Sequence, residues 1–193
     1  MKVLVVFGTR PEAIKMCPVI KKLKEKSNII CRACLTGQHE EMLNQVMETF
    51  DIKSDYNLHV MTERQTLAGV SARIMTGLQE IYEKEKPDVV LVHGDTTSSY
   101  IAAVCAFYQH IPIGHVEAGL RTYQLQSPFP EEFNRQSIDM ISDIYFAPTK
   151  LAQQQLLNEG KNAAHIYVTG NTAIDALKDT IRESYYSSDL EWC

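Results

Sequence analysis

The sequence lacks any apolar run that approaches the roughly 20 residues needed to cross a membrane. Its first residues, MKVLVVFGTRPE, are apolar for only five consecutive positions and reach a charge at Arg10, whereas a secretory signal needs a longer apolar core. An excess of positive charge is also missing, since the formal net charge is −5. This disfavours nucleic-acid binding, which requires a basic face. We therefore expect a cytoplasmic protein that binds neither membrane nor nucleic acid.

Cysteines are few and odd in number, five in 193 residues. Their scatter through apolar segments predicts reduced thiols rather than a disulfide framework. Cys31 and Cys34 form a CxxC, but they lie in a predicted strand, where residues three apart point to opposite faces. No second pair at ligand spacing completes a zinc site, so we expect buried structural thiols.

Apolar runs of strand length alternate along the chain with segments whose apolar residues recur at helical spacing. The predicted strands are residues 2–7, 28–35, 56–60, 88–92, 111–116, 144–147 and 166–168, and the predicted helices are residues 11–26, 38–50, 65–86, 97–109, 130–141, 149–159 and 173–182. Residues 118–129 have no period and are predicted to be a loop. This alternation predicts an α/β fold with a mostly parallel, Rossmann-like sheet covered by helices on both faces.

Pro18 leaves two alternatives for the first helix, because a proline in a helix interior costs roughly 3 kcal/mol. Either the helix kinks at Pro18, or residues 10–17 form a structured loop and the regular helix starts later.

Five of the predicted strands are followed by polar segments that contain or adjoin a glycine. These are residues 8–12, 36–39, 93–97, 115–119 and 169–171. Ligands of open parallel sheets bind outside the carboxyl ends of the strands. We therefore expect all five segments to open on one edge of the sheet and to contain the functional site.

Carboxylates in and near these segments are the candidates for chemistry. Asp95 precedes a helix and could be its cap, although Thr96 or a neighbouring hydroxyl could cap it alone and leave Asp95 free. Glu117 directly follows an apolar run, where it would be partly buried, need a partner and suit acid/base work. The helix dipole alone would explain Glu131 and Glu132 in the first turn of their helix.

Basic residues and missing motifs narrow the class of ligand. Arg10 and Lys15 follow the first strand, and Arg121 and Arg135 flank the irregular loop. Solvated surface charge would explain all four residues. The alternative is a phosphate site, which would combine Arg forks with a helix N-terminus. The dinucleotide signature GxGxxG is absent, since only Gly8 occurs in the first turn, which disfavours NAD. Histidines and carboxylates at the strand ends show no HxH, DxH or HxxxH spacing, so we predict neither a metal ion nor an organic cofactor.

Several longer motifs closely resemble one family. FGTRPEAIK, TGQHEEML, HGDTTSS, HVEAGLRTYQLQSPFPEEFNRQ and VTGNTAIDAL are together similar to bacterial UDP-N-acetylglucosamine 2-epimerases, and the resemblance runs over residues 2–177. AGLRT followed by PEEFNR resembles the non-hydrolysing type, which interconverts UDP-N-acetylglucosamine and UDP-N-acetylmannosamine for surface polysaccharide synthesis. The resemblance implies a two-lobed GT-B-type fold, of which this chain is the first lobe, and a homodimer.

The resemblance also implies roles for individual residues. Asp95, Glu117 and Glu131 match the family's catalytic carboxylates, and UDP would be eliminated to a 2-acetamidoglucal intermediate and then added back. Arg10, Lys15 and Arg135 are expected to bind substrate. Gln38 and Arg64 match positions that some bacterial members use for a second, activating UDP-N-acetylglucosamine.

Family members are considerably longer than this chain. The resemblance implies that residues 1–170 form the lobe with the carboxylates, and that residues 171–193 begin the crossover to a second lobe with most nucleotide contacts and a catalytically relevant histidine. We expect the chain to be inactive alone. Two alternatives stay open: a lobe of a GT-B-type glycosyltransferase, and a nucleotide-sugar binding module without catalysis.

Overall fold

The computed structural model describes residues 1–37, 40–61 and 66–181. Each predicted strand and helix is present within these ranges, with bounds that differ by a few residues. The strands are β1 (Lys2–Phe7), β2 (Ile30–Leu35), β3 (Tyr56–Asn57), β4 (Val89–His93), β5 (Ile113–Val116), β6 (Ile144–Ala147) and β7 (Ile166–Val168). The helices are α1 (Arg10–Lys24), α2 (Glu40–Thr49), α3 (Leu67–Glu85), α4 (Thr97–Tyr108), α5 (Glu131–Ile141), α6 (Lys150–Asn158) and α7 (Thr172–Thr180). No helix in the described ranges combines the length and apolarity of a membrane span.

The strands form one parallel sheet in the order β3-β2-β1-β4-β5-β6-β7. Strands β2 and β3 are therefore added on one side of β1, and strands β4 to β7 are added in turn on the other side. The strand order reverses between β1 and β4, which is where open α/β sheets form a ligand crevice at the carboxyl ends of their strands. The predicted parallel, Rossmann-like sheet is confirmed.

Helices cover both faces of the sheet, and the buried strand β1 shows why. Its side chains alternate, because successive residues of a strand point to opposite faces. Val5 and Phe7 pack into a cluster with residues of α1, α2 and α7, whereas Leu4 and Val6 pack into a cluster with residues of α3, α4 and α5. Burying a side chain of this size contributes about 1.5–3 kcal/mol, so β1 is anchored to the helices on both faces.

The CxxC follows the same alternation. Cys31 lies in the cluster beneath α1 and Cys34 in the cluster on the opposite face, as the strand geometry predicts. Burial raises the pKa of the Cys31 thiol to about 11 and that of Cys34 to about 12. The four cysteines within the described ranges are free and buried, so they pack as neutral thiols.

The first helix is continuous across Pro18. Helix α1 begins at Arg10 and has Pro18 inside it, so the alternative with a loop over residues 10–17 is wrong. Pro11 lies in the first turn, where a missing N–H costs little. Beyond it the helix buries Met16 and Ile20 against the sheet, and this packing outweighs the local cost of Pro18.

Helix α7 packs on the lobe rather than leading away from it. It contacts α1, and Ala176 is buried in the cluster that α1 and α2 share. The resemblance implies that residues 171–193 begin a crossover, and the part of this segment in α7 packs against α1. The boundary at residue 170 stays a prediction, and residues 182–193 lie outside the described ranges.

Candidate active site

The described polar segments that follow the strands meet at one edge of the sheet, because β1, β2, β4, β5 and β7 run parallel. The turns after β1 and β2 and the start of α4 come very close together. A Cβ on Gly8 would clash with the Oγ1 of Thr36 and lie 2.6 Å from the Oγ of Ser98. This close approach requires glycine and closes the base of the crevice at the switch point.

Glu12, to which the sequence reasoning gave no role, ties these turns together. Its side chain is buried, and its Oε2 accepts from the backbone N–H groups of Gly8 (2.9 Å) and Thr9 (2.7 Å). Its Oε1 lies 2.8 Å from the Oγ1 of Thr96 and 2.7 Å from the Oγ of Ser99. The sequence did carry a signal, because Thr-x-x-Glu at a helix start is a capping box. Glu12 thereby holds the Asp95 turn against the start of α1.

Glu117 occupies a strained position directly after β5. Its φ is 69°, a left-handed conformation that costs a non-glycine residue of the order of 1–3 kcal/mol and is frequent at functional sites. The Phe146 carbonyl accepts from the N–H groups of Glu117 (3.0 Å) and Ala118 (3.1 Å) and holds this conformation. Lys15 Nζ donates to both carboxylate oxygens of Glu117, at 2.7 and 2.8 Å. The expectation of a partly buried Glu117 with a partner is confirmed.

His93, the last residue of β4, lies beside this pair. Its Nε2 is 3.3 Å from Glu117 Oε2, yet neither ring nitrogen has a hydrogen-bond partner among the described residues. Burial, and then electrostatic interactions with Lys15 and His115, lower the pKa of His93 to about 3. His93 is therefore neutral, and Lys15 is the cation that balances Glu117.

Asp95 is not needed as a helix cap. The cap of α4 is Thr96, whose hydroxyl accepts from Ser99 N–H at 3.1 Å, as the sequence allowed. Arg135 Nη2 lies 3.1 Å from Asp95 Oδ2. Burial raises the pKa of Asp95, the nearby charge of Arg135 opposes this rise, and the charges of Glu117 and Glu131 add to it. Glu117 and Glu131 are therefore close enough to act on the charge of Asp95.

Asp95→Asn is expected to make the protein more stable near neutral pH. Because the folded state raises the pKa of Asp95 above its ordinary 3.8, the charged carboxylate opposes folding above the folded pKa, and this cost disappears as pH falls through it. The urea midpoint of the variant should exceed that of the parent at about pH 7 and converge with it by about pH 4. A lower midpoint at neutral pH would show that the Arg135 ion pair dominates.

Two adjacent glutamates at the start of α5 have different environments. Glu132 is 0% exposed, and its Oε1 accepts from Tyr123 N–H (2.8 Å) and Gln136 Nε2 (2.7 Å). Burial would raise the pKa of Glu132, but these hydrogen bonds and Arg135, 3.3 Å away, lower it. Glu131 is half-buried and acts on the charge of Asp95. Glu132 therefore anchors the loop, whereas Glu131 is available to the site.

Arg121 contradicts the surface-charge interpretation, since its side chain is 0% exposed. Its Nη1 lies 2.8 Å from Asp139 Oδ2, and its Nε and Nη2 donate to Glu159 at 2.7 and 2.6 Å. Burial opposes the charged form, but these partners outweigh it and raise the pKa of Arg121. Asp139 was not predictable from the sequence, because its burial depends on the rotation of α5 about its axis.

Of the predicted residues that the structure describes, Arg10 is not brought to the carboxylates. Arg10 is exposed at the start of α1 and lines a groove shared with α2 and α7, where it has no ion pair with any described residue. Gln38 and Arg64 lie outside the described residues. The roles assigned to these three stay predictions.

The comparisons with known proteins identify the same family that the sequence motifs resemble. A family model described as UDP-N-acetylglucosamine 2-epimerase matches residues 21–191. The chain belongs to this family. A UDP-N-acetylglucosamine 2-epimerase of Bacillus subtilis is 52% identical over 185 residues, which cover 96% of this chain and 49% of that protein. The chain spans about half the length of the curated family members it matches.

Solved structures of the family have the same fold. UDP-GlcNAc 2-epimerase from Neisseria meningitidis, bound to UDP-GlcNAc, matches with a TM-score of 0.91 at 52% identity, over 93% of this chain and 48% of that one. The S. aureus MnaA structure with UDP matches with a TM-score of 0.92 at 47% identity, over 99% and 50%. The lipopolysaccharide outer core galactosyltransferase WaaB reaches a TM-score of 0.62 at 16% identity, which shows a shared GT-B-type fold alone.

Proposed function

We propose that this chain is the acid/base lobe of a non-hydrolysing epimerase that interconverts UDP-N-acetylglucosamine and UDP-N-acetylmannosamine at C2. The observation that carries the proposal is the carboxylate cluster at the switch point, where Asp95, Glu117 and Glu131 gather with Lys15 and Arg135. A sugar carbon that loses and regains a proton needs such groups. Relatives bound to UDP-GlcNAc and to UDP support the substrate.

The proposed reaction balances without any oxidant or cofactor. The C2–H bond breaks, its electron pair forms the C1–C2 double bond of 2-acetamidoglucal, and the C1–O bond to UDP breaks. The return step adds a proton to the opposite face of C2, and a diphosphate oxygen of UDP attacks C1. Each direction therefore needs one group that accepts a proton and one that donates a proton.

The carboxylates differ in the way this chemistry requires. Glu117 is ion-paired with Lys15 and is available as a carboxylate that accepts a proton. Burial raises the pKa of Asp95. Asp95 therefore holds a proton more readily than an ordinary aspartate and is suited to donate one. Lys15 and Arg135 supply positive charge beside the site, where the departing diphosphate would develop negative charge.

Incubation of the full-length protein with UDP-N-acetylglucosamine in deuterated buffer tests the assignment. The expected product is UDP-N-acetylmannosamine that carries deuterium at C2. Free N-acetylmannosamine would contradict the non-hydrolysing type, and the absence of C2 exchange would contradict the epimerase. Transfer of the sugar to an added acceptor without C2 exchange would favour the glycosyltransferase alternative, for which the WaaB likeness supports only the fold.

Further properties of the whole protein belong to the same proposal. We propose that the whole protein is a homodimer in the cytoplasm. The free cysteines of the described ranges are consistent with a reducing compartment. The chain alone should bind UDP weakly or not at all and turn over no substrate, because the family's second lobe holds most nucleotide contacts. Titration of the chain with UDP and with the sugar nucleotide tests this, and tight binding without turnover would favour the binding-module alternative.

A further inference from the structure

His115 lies beneath the candidate site in a position that the proposed reaction does not use directly. It belongs to β5, and its side chain is 0% exposed. Its Nε2 is 2.7 Å from the carbonyl oxygen of Gly94, the residue before Asp95. Its Nδ1 is 2.6 Å from Asp139 Oδ1 on α5. The ring therefore links the Asp95 turn to a helix that begins with Glu131.

Both partners of the ring are acceptors. A backbone carbonyl oxygen can only accept a hydrogen bond, and so can an ionised carboxylate. Burial opposes the charged form of Asp139, but its hydrogen bonds and the guanidinium of Arg121, 2.8 Å away, lower its pKa, so Asp139 is ionised whichever form the His115 ring takes. A neutral imidazole has one donor and one acceptor nitrogen, so it would place a lone pair against one of these oxygens at close range.

The second oxygen of Asp139 extends the link to the Glu117 turn. Asp139 Oδ2 accepts from Gly119 N–H at 3.0 Å and from Arg121 Nη1 at 2.8 Å. Gly119 has a φ of 84°, and a Cβ there would clash with the Ala152 carbonyl. The left-handed conformation of Gly119, two residues after Glu117, is thus held from below by a carboxylate that His115 orients.

We propose that His115 is a buried imidazolium and a positioning residue, which holds the Asp95 and Glu117 turns in register and places a fixed positive charge beneath Asp95. Charged and titratable groups face it from each neighbouring element. They are Asp139 on α5, Arg121 in the loop after β5, Tyr145 on β6, whose hydroxyl donates to the Asp139 backbone carbonyl, and Asp95 and His93 at the end of β4. The charge on His115 favours ionised Asp95 and neutral His93.

Ring-nitrogen NMR of the uniformly labelled chain tests the charge independently of any activity. Both nitrogens of His115 should carry hydrogens at about pH 8, where a free histidine is neutral. The ring nitrogens of the exposed His165 serve as the internal reference in the same spectrum. A ring nitrogen of His115 without hydrogen at pH 8 would overturn the proposal.

Kinetics of the full-length protein test the positioning role, which rests on the proposed epimerase function. His115→Gln should lower kcat about 10- to 100-fold while KM changes less than about threefold, because reacting groups displaced by less than about 1 Å lose rate rather than binding. His165→Gln is the matched control and should leave both constants unchanged. An unchanged kcat in His115→Gln would contradict the role, whereas an inactive parent would contradict only the proposed function.

Asp139→Asn separates charge from geometry and serves if His115→Gln does not fold. The introduced amide can donate to a neutral Nδ1, and its oxygen can accept from Gly119 and Arg121, so the hydrogen bonds survive while both charges disappear. The ring of His115 should then lose one hydrogen at about pH 8, and the apparent pKa of Asp95 in the pH–rate profile should rise. A profile identical to that of the parent would overturn the electrostatic part.

Discussion

Glu117→Gln is expected to lower kcat of the full-length protein by about 10²- to 10⁴-fold, the usual contribution of a positioned acid or base. The amide has nearly the same shape as the carboxylate but accepts no proton at neutral pH. In the parent, Lys15 Nζ donates to both carboxylate oxygens, at 2.7 and 2.8 Å. In the variant, Lys15 Nζ keeps one acceptor oxygen and faces an amide NH₂ group in place of the other. Turnover of UDP-N-acetylglucosamine and deuterium incorporation at C2 should fall together.

The matched control for this variant is Glu80→Gln on the exposed side of α3, which removes one carboxylate far from the strand ends. It should leave kcat and KM unchanged. If Glu117→Gln kept kcat within about tenfold of the parent, Glu117 would not be the proton-transfer group, and the acid/base role would pass to Asp95 and Glu131. If KM rose while kcat was unchanged, Glu117 would act in substrate binding instead.

The sheet and the edge that carries the site were predictable because they depend on local patterns. Continuous apolar runs such as residues 2–7 indicate strands buried on both faces. Alternation with helices then restricts the connections to parallel crossovers, so the residues that follow the strands must share one edge. Asp95 and Glu117 were identified from that edge alone.

Pairings between distant residues were not predictable in the same way. Lys15 meets Glu117 although 102 residues separate them, and Arg135 meets Asp95 across two elements. No local pattern records which cation faces which carboxylate. Arg121 shows the same limit more sharply, because loop sequence around it resembles solvated surface while its partners lie on α5 and directly after α6.

The glutamates at the start of α5 show a limit of helical periodicity. Adjacent residues on a helix differ by about 100° around its axis, so Glu131 and Glu132 cannot have the same environment. Sequence alone does not set the rotation of the helix against the sheet, and hence which of the two is buried. The family resemblance singled out Glu131, and the structure supplies the physical reason why Glu132 is not equivalent.

Arg121→Met is expected to be the most destabilising of the substitutions considered for the lobe, by about 3 kcal/mol, because removal of one partner leaves a buried charge uncompensated. Asp139, 0% exposed, would keep His115 and Gly119 N–H but lose its guanidinium partner. Glu159 would lose both hydrogen bonds of the Arg121 fork. The midpoint of urea unfolding should fall while the slope stays constant.

Two further variants show whether the buried charge is the cause. Arg121→Lys keeps the charge but cannot supply the fork to Glu159 while also reaching Asp139, so its midpoint should lie between those of Arg121→Met and the parent. Lys22→Met breaks the exposed pair with Glu25 and should not shift the midpoint. A loss below about 0.5 kcal/mol in Arg121→Met would mean that desolvation cancels the attraction, and that Asp139 is stabilised by His115 and the Gly119 amide alone.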